Sequence, residues 1–193
     1  LGPLAAAGVG DAGGNDDGAC FGDGDGPYGS RVDRRRLRLR LARLGLALQR
    51  CEGDGSCLFR AVSAQLYGGD QAHHGAVRAA AVQHMLEHRA EYEAFLGEDV
   101  GAYLTGMACL GTWGDELTLR AVCDALRVVV HVVTSDAEGW YTFYEPEGMS
   151  EHKGQEQGQE PHVFLAYIAP VHYDSLVPAG QRQQHKDARS LGL

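Results

Sequence analysis

Cys51-Glu-Gly-Asp-Gly-Ser-Cys-Leu-Phe-Arg-Ala-Val-Ser-Ala-Gln-Leu-Tyr-Gly68 is the stretch around which the rest of the chain is organised. It opens on a flexible, acid-bearing turn, Gly53-Asp54-Gly55-Ser56, and passes at Cys57 into an apolar-periodic run of Leu58, Phe59, Val62 and Leu66 that Gly68 stops. The glycines permit backbone conformations that other residues resist, and serine is a good N-cap, so Cys57 is expected as the first residue of a buried helix. There the unpaired N–H groups and the helix dipole favour an anion, here a thiolate. A lone cysteine at a helix start is more often a small buried side chain than a nucleophile, so the reading depends on what else the chain supplies.

The composition is that of one soluble globular domain with tails. The 193 residues are 44% hydrophobic and 22% charged, and no run approaches the roughly 20 apolar residues that cross a bilayer. The chain opens on Leu1 rather than Met, as an excised or processed chain would. Its five cysteines, at 20, 51, 57, 109 and 123, are odd in number and scattered, with no Cys-x-x-Cys pair. That argues against a disulfide framework or a zinc site and for a reducing compartment, cytoplasmic or nuclear. The His84/His88 pair has no third ligand at helical spacing, so no metal and no cofactor is expected. A net charge of −9 argues against a general nucleic-acid binder. Eight of the 17 Lys and Arg residues nevertheless lie between Arg31 and Arg50, which reads first as a solvated helix face and second as a nuclear-localisation or nucleic-acid patch.

Taken in order, residues 1–30 are Gly- and Asp-rich and are expected to be disordered. A helix is predicted from Arg31 to about Leu44, broken at Gly45, with a short strand from Leu46. After the Cys57 helix, a second runs from about His73 into the Glu91 region, with Val77, Ala81, Val82, Met85 and Leu86 on its buried face. A shorter helix near 98–107 and another from Leu117 to Leu126 precede the strand 127–134, a near-continuous β-branched run of the kind buried on both faces. Its partner, Trp140–Tyr144, completes a hairpin. Residues 145–161 read as a flexible insertion loop, 162–169 as a strand running on to His172-Tyr-Asp-Ser-Leu176, and 179–193 as a polar tail. Helices followed by strands give an α+β or three-layer α/β/α domain over 31–178, with a small central sheet flanked by helices.

His172 leaves an apolar strand and is followed at i+2 by Asp174, so on a continuing strand both side chains project to one face. A cysteine at a helix start and a histidine 115 positions later fit the general logic of thiol hydrolases. His172 would take and return the proton, a carboxylate would hold its tautomer, and backbone N–H groups around Gly55, Ser56 and Cys57 would receive the oxyanion.

Asp54-Gly-Ser-Cys-Leu-Phe-Arg-Ala61 resembles the nucleophile motif of the ovarian-tumour (OTU) family of cysteine deubiquitinases, Asp-Gly-(Ser/Asn)-Cys-(Leu/Gln)-Phe-Arg-Ala. Leu66-Tyr-Gly68, Trp113-Gly-Asp-Glu-Leu-Thr-Leu119 and His172-Tyr-Asp-Ser-Leu176 are similar to further family segments, in the same order. The resemblance spans about 37–177, and the Arg-Leu-rich helix with its short strand is similar to plant-type members. It implies an OTU-like cysteine protease fold with Cys57 as nucleophile and His172 as general base and acid. Asp54 matches the family's motif aspartate and Asp174 the position that orients the histidine in some members; the choice between them stays open. Trp113 would line the substrate groove or plug the core. The implied reaction is hydrolysis of the isopeptide bond at the C-terminus of ubiquitin, polyubiquitin or a ubiquitin-like modifier. The alternative is a catalytically silent ubiquitin-binding scaffold of the same fold.

Overall fold

The computed structural model describes residues 29–96, 100–149 and 160–181. The segments expected to be disordered or flexible therefore lie largely outside the described residues, at 1–28, 150–159 and 182–193. Among the described residues no helix is long and apolar enough to cross a membrane.

Helix α1 spans Arg31–Leu44. The Ser30 hydroxyl caps it by accepting from the Asp33 N–H, and Gly45, at φ +67°, closes it with its own N–H turned back onto Ala42 and Leu41 carbonyls. Leucines four apart decide what α1 covers. Leu37 and Leu41 are buried against Val133, Ala166, Ile168 and Leu176, while Leu39 and Leu44 face outward. The arginines between them serve the same docking. Arg36 donates to the Ser135 carbonyl at 2.7 Å and Arg40 to that of Thr134 at 2.6 Å, so part of the basic run closes the C-terminal end of a strand.

The remaining helices are α2 (Cys57–Leu66), α3 (His74–Glu87), α4 (Arg89–Leu96), α5 (Val100–Ala108) and α6 (Glu116–Leu126). The strands are β1 (Leu46–Gln49), β2 (Val129–Thr134), β3 (Tyr141–Tyr144), β4 (His162–Ile168) and β5 (His172–Pro178). They form one mixed sheet in the order β1-β5-β4-β2-β3, in which only β2 and β4 run parallel. Helix α1 lies on one face. On the other, Val130, Val132, Val163 and Leu165 pack in one core with Leu58, Phe59 and Val62 of α2, Met85 of α3 and Leu119 and Val122 of α6. This is an α+β fold, as expected.

Two expectations change. The long helix predicted through Glu91 is two helices, because His88 leaves helical geometry (φ −105°, ψ 29°) and α4 begins anew at Arg89. The bend buries Tyr92, and it leaves Leu86, expected on the buried face, exposed. Strand β2 is also not covered on both faces along its whole length. Helix α1 reaches Val133 but not His131, whose ring stacks on Phe164 with centroids 4.6 Å apart on an open surface.

Helix α2 is tethered to the sheet by Gln65. Its amide donates to the Ser175 hydroxyl (2.7 Å) and the Leu176 carbonyl (2.6 Å), and accepts from the Phe164 N–H (2.9 Å). A helix whose last turn is fixed to β4 and β5 presents its first turn to the start of β5, where His172 sits. If α1 is an integral part of this fold, Leu37→Ala should lower the unfolding free energy by about 2–4 kcal/mol in chemical denaturation. A loss below about 0.5 kcal/mol, the scale of an exposed substitution, would show α1 to be an appendage.

Candidate active site

The turn before Cys57 is shaped by crowding. Gly55 has φ +84°, and a Cβ there would run into the Gly111 carbonyl oxygen. The turn and the loop after α5 therefore lie backbone against backbone. Gly114 is equally confined, since a Cβ would sit 2.5 Å from Leu58 and 3.3 Å from Phe59 on the first turn of α2. Trp113 beside it is 63% exposed, so it is no core plug.

Asp54 faces this turn. Its Oδ1 accepts from the Ser56 N–H at 2.9 Å, and its carboxylate is forked by Arg60, with Nη2 2.6 Å from Oδ2 and Nε about as close to both oxygens at 3.1 and 3.2 Å. The hydrogen bonds from Arg60 hold Asp54 at about 2, against an ordinary value of 3.8. Ser56 stands at the N-cap position, yet its hydroxyl makes no cap bond. The oxygen instead accepts from Arg78 Nη2 at 3.2 Å and from the Gly111 N–H at 3.3 Å.

His172 and Asp174 enter from β5. The strand is antiparallel to β4, with His172 opposite Ile168 and Asp174 opposite Ala166, so both side chains fall on one face as the i+2 spacing requires. They are 3% and 1% exposed. His172 Nε2 is 3.2 Å from Asp174 Oδ1, and the same oxygen accepts the Cys51 backbone N–H at 2.8 Å. The Cys57 side chain lies near the same imidazole, close enough to act on its proton affinity. Burial pushes the His172 pKa down, but the hydrogen bond to Asp174 and the proximity of Cys57, with their charges, outweigh it and raise the ring from 6.5 to about 9.

Cys57, His172 and Asp174 thus come together, Gly55 and Ser56 flank them, and Asp54 is engaged elsewhere by Arg60. Three contributors were missed from sequence: Arg60, the Cys51 N–H and Arg78. Arg60 sits inside the quoted motif and a helical turn from Cys57, so its spacing could have suggested a partner for Asp54. The other two carry no signal, because one is a backbone group and the other a charge inside an apolar stripe.

Residues 52–175 match the family described as OTU-like cysteine protease. The chain belongs to that family. It is 34% identical over 149 residues to ovarian tumor domain-containing deubiquitinating enzyme 9 of Arabidopsis thaliana, which covers 77% of this chain and 41% of that protein. Against deubiquitinating enzyme 12 of the same plant it is 32% identical over 163 residues, covering 84% of this chain and 70% of the other. Among solved structures, the OTU domain of OTUD1 superposes with a TM-score of 0.62 at 23% identity, covering 76% of this chain and 95% of that one. Family and fold agree with the plant-type OTU resemblance. The chain spans well under half the length of deubiquitinating enzyme 9.

The crowding at Gly55 can be separated from its positive φ. Gly68 has φ +60° with nothing within 4 Å of a built Cβ. Gly68→Ala should cost about 1 kcal/mol, whereas Gly55→Ala should cost about 2–4 kcal/mol because the backbone turn must also move. Equal shifts in melting temperature would show that the two loops are not in contact.

Proposed function

We propose that this chain is a thiol-dependent deubiquitinase that hydrolyses the isopeptide bond at the C-terminus of ubiquitin, polyubiquitin or a ubiquitin-like modifier. Residues 31–178 form its catalytic unit. The observation that carries the reading is the series Cys57–His172–Asp174, which joins a half-buried thiol at the start of α2 to a buried His–Asp pair on β5, in a chain of the OTU-like cysteine protease family. The curated relatives named above are deubiquitinating enzymes, which supports the substrate class.

Each step falls to a residue whose surroundings suit it. With Nε2 occupied by Asp174, the other ring nitrogen of His172 is left for the Cys57 thiol. His172 takes the thiol proton, and the thiolate attacks the carbonyl carbon of the terminal glycine. The negative charge that develops on the carbonyl oxygen falls at the N-terminal end of α2, among backbone N–H groups and the positive end of the helix dipole. The imidazolium then protonates the departing lysine amine. Water, deprotonated by His172, hydrolyses the thioester and regenerates the thiol. Asp174 is the orienter, with one oxygen on the ring. Asp54 shapes the turn, since Arg60 and the Ser56 N–H occupy its acceptors. Trp113 stands on the exposed side of this turn, where the tail of the modifier would pass.

A ubiquitin probe with a C-terminal electrophile tests the reading. An adduct on the wild type, lost in Cys57→Ala, is expected, and His172→Ala should lower turnover of diubiquitin by at least about 10³-fold. Absence of the adduct would leave the silent scaffold.

The pH profile separates the two aspartates. The imidazolium partners the thiolate, so kcat/KM should hold through neutral pH and fall as pH rises through about 9. The same raised pKa adds stability that is complete below 6.5 and lost as pH rises through about 9. Asp174→Asn should move the alkaline limb down toward 6.5 and cut kcat by about 10²–10⁴-fold. Asp54→Asn, which loosens the turn, should lower turnover with the limb unmoved. An unmoved limb in Asp174→Asn would assign the orienting role elsewhere.

A further inference from the structure

Arg78 is the largest side chain among those fully enclosed, 1% exposed, on the inner face of α3 with Val77, Ala81 and Met85. Burying a guanidinium is costly unless it is paired, and here no Asp or Glu of the described residues forms an ion pair with it. Its neighbours are oxygens that end other elements. Nη1 donates to the Met107 carbonyl in the last turn of α5 at 2.9 Å, and Nη2 donates to the Thr112 carbonyl at 2.8 Å and to Ser56 Oγ at 3.2 Å. The flat face of the group lies 4.0 Å from the centre of the Phe59 ring, on the first turn of α2. Nε is buried with no partner. A methionine of similar length would fill this space without that desolvation, so packing alone gives no reason for the charge.

The reason lies in what two of the three acceptors have in common. Ser56 precedes Cys57, and Thr112 follows Gly111, whose carbonyl crowds Gly55 and whose N–H donates to Ser56 Oγ. Arg78 therefore grips both sides of the contact between the two loops. It also diverts the Ser56 hydroxyl, which would otherwise accept from a backbone N–H of the first turn of α2. Those N–H groups stay unclaimed by their own cap, beside the cysteine.

We propose that Arg78 is a positioning residue for the reaction at Cys57: it holds Ser56 and the Gly111–Thr112 loop so that the first-turn N–H groups of α2 remain open to the oxyanion. The inference rests on the reading of Cys57 as the nucleophile, and it predicts a selective defect. Reactions that place negative charge on a carbonyl oxygen should suffer, and simple alkylation of the thiol should not.

The test compares Arg78→Met and Arg78→Lys with the wild type, each checked for folding by circular dichroism. Three readouts are taken: kcat and KM on a ubiquitin C-terminal fluorogenic amide, the affinity of a peptidyl glycine aldehyde, and the rate of iodoacetamide alkylation at Cys57. The thiol adds to the aldehyde: its proton passes to His172, a C–S bond forms as the carbonyl π bond breaks, and the oxygen that takes the electron pair stands where the oxyanion would. Arg78→Met should weaken aldehyde binding and lower kcat by about 100-fold, with KM and alkylation within about threefold of the wild type. Arg78→Lys, which keeps the charge but not the fork, should recover about tenfold of that loss. A folded Arg78→Met that binds the aldehyde normally overturns the proposal, as does an equal loss of aldehyde binding and alkylation, the mark of a merely structural role. Should Arg78→Met not fold, Arg78→Lys decides, since it too loses the fork: normal aldehyde binding there also overturns it. A wild type alkylated at Cys57 but indifferent to the aldehyde has no oxyanion site to position, and the proposal fails. A wild type that binds the aldehyde but cleaves no ubiquitin substrate, with the variants as expected on aldehyde binding and alkylation, removes the deubiquitinase reading and leaves this one standing.

Discussion

One carboxylate oxygen ties the fold to the chemistry. Asp174 Oδ1 accepts from the His172 ring and from the Cys51 backbone N–H, 123 residues away in the chain. The first bond sets the direction of the imidazole. The second fixes the point where β1 ends and the Cys57 turn begins. Both are buried, so the carboxylate has traded its water for these donors, and losing either would leave a charge poorly compensated. The position of Asp174 is in turn a matter of register. It lies opposite Ala166 on an inner strand held on both sides, by β1 and by β4. A slip of one residue would turn His172 and Asp174 to the other face together, away from α2 and toward α1.

What the sheet does for the histidine, three polar side chains do for the cysteine. Gln65 fixes the far end of α2 to β4 and β5. Arg60 and Arg78 work at its start from opposite sides, one holding Asp54 and the other Ser56, the residues on either side of Gly55. A glycine at φ +84° has few conformational restraints of its own, so its neighbours must supply them. Cationic side chains in this protein are repeatedly used on main-chain carbonyls. Arg36 and Arg40 close the end of β2, Arg34 reaches the Gly29 carbonyl, and Arg78 reaches two more. A basic run that reads first as a solvated helix face and second as a nuclear-localisation or nucleic-acid patch is in part a set of clamps across α1.

The parts legible in the sequence are those written in short-range spacing. Leucines at i and i+4 with a glycine stop define α1, and His172 with Asp174 at i+2 defines one face of a strand. The nucleophile motif places Cys57 at a helix start. What escaped reading depends on groups that meet only in three dimensions. The break at His88 answers to the burial of Tyr92, and nothing at His88 itself announces it. Arg78 interrupts a stripe of Val77, Ala81 and Met85 and so looks like a surface residue. Its acceptors come from α5, the loop after it and the turn before α2, none of which a helical stripe can anticipate.

The two aspartates illustrate the same limit. By sequence each has a claim, Asp54 from the motif and Asp174 from its spacing. A carboxylate can accept several hydrogen bonds, but its orientation is set by its most demanding partner. For Asp54 that partner is a guanidinium held in fork geometry, which points the oxygens along α2 and stabilises the charge at a half-exposed position. For Asp174 the partners are a ring and one backbone N–H at a buried site, and its second oxygen is buried with no protein donor. A buried charge with spare acceptor capacity favours any positive charge that develops beside it. In the proposed reaction, an imidazolium formed when His172 takes the thiol proton is such a charge, and at Asp54 the guanidinium is already there.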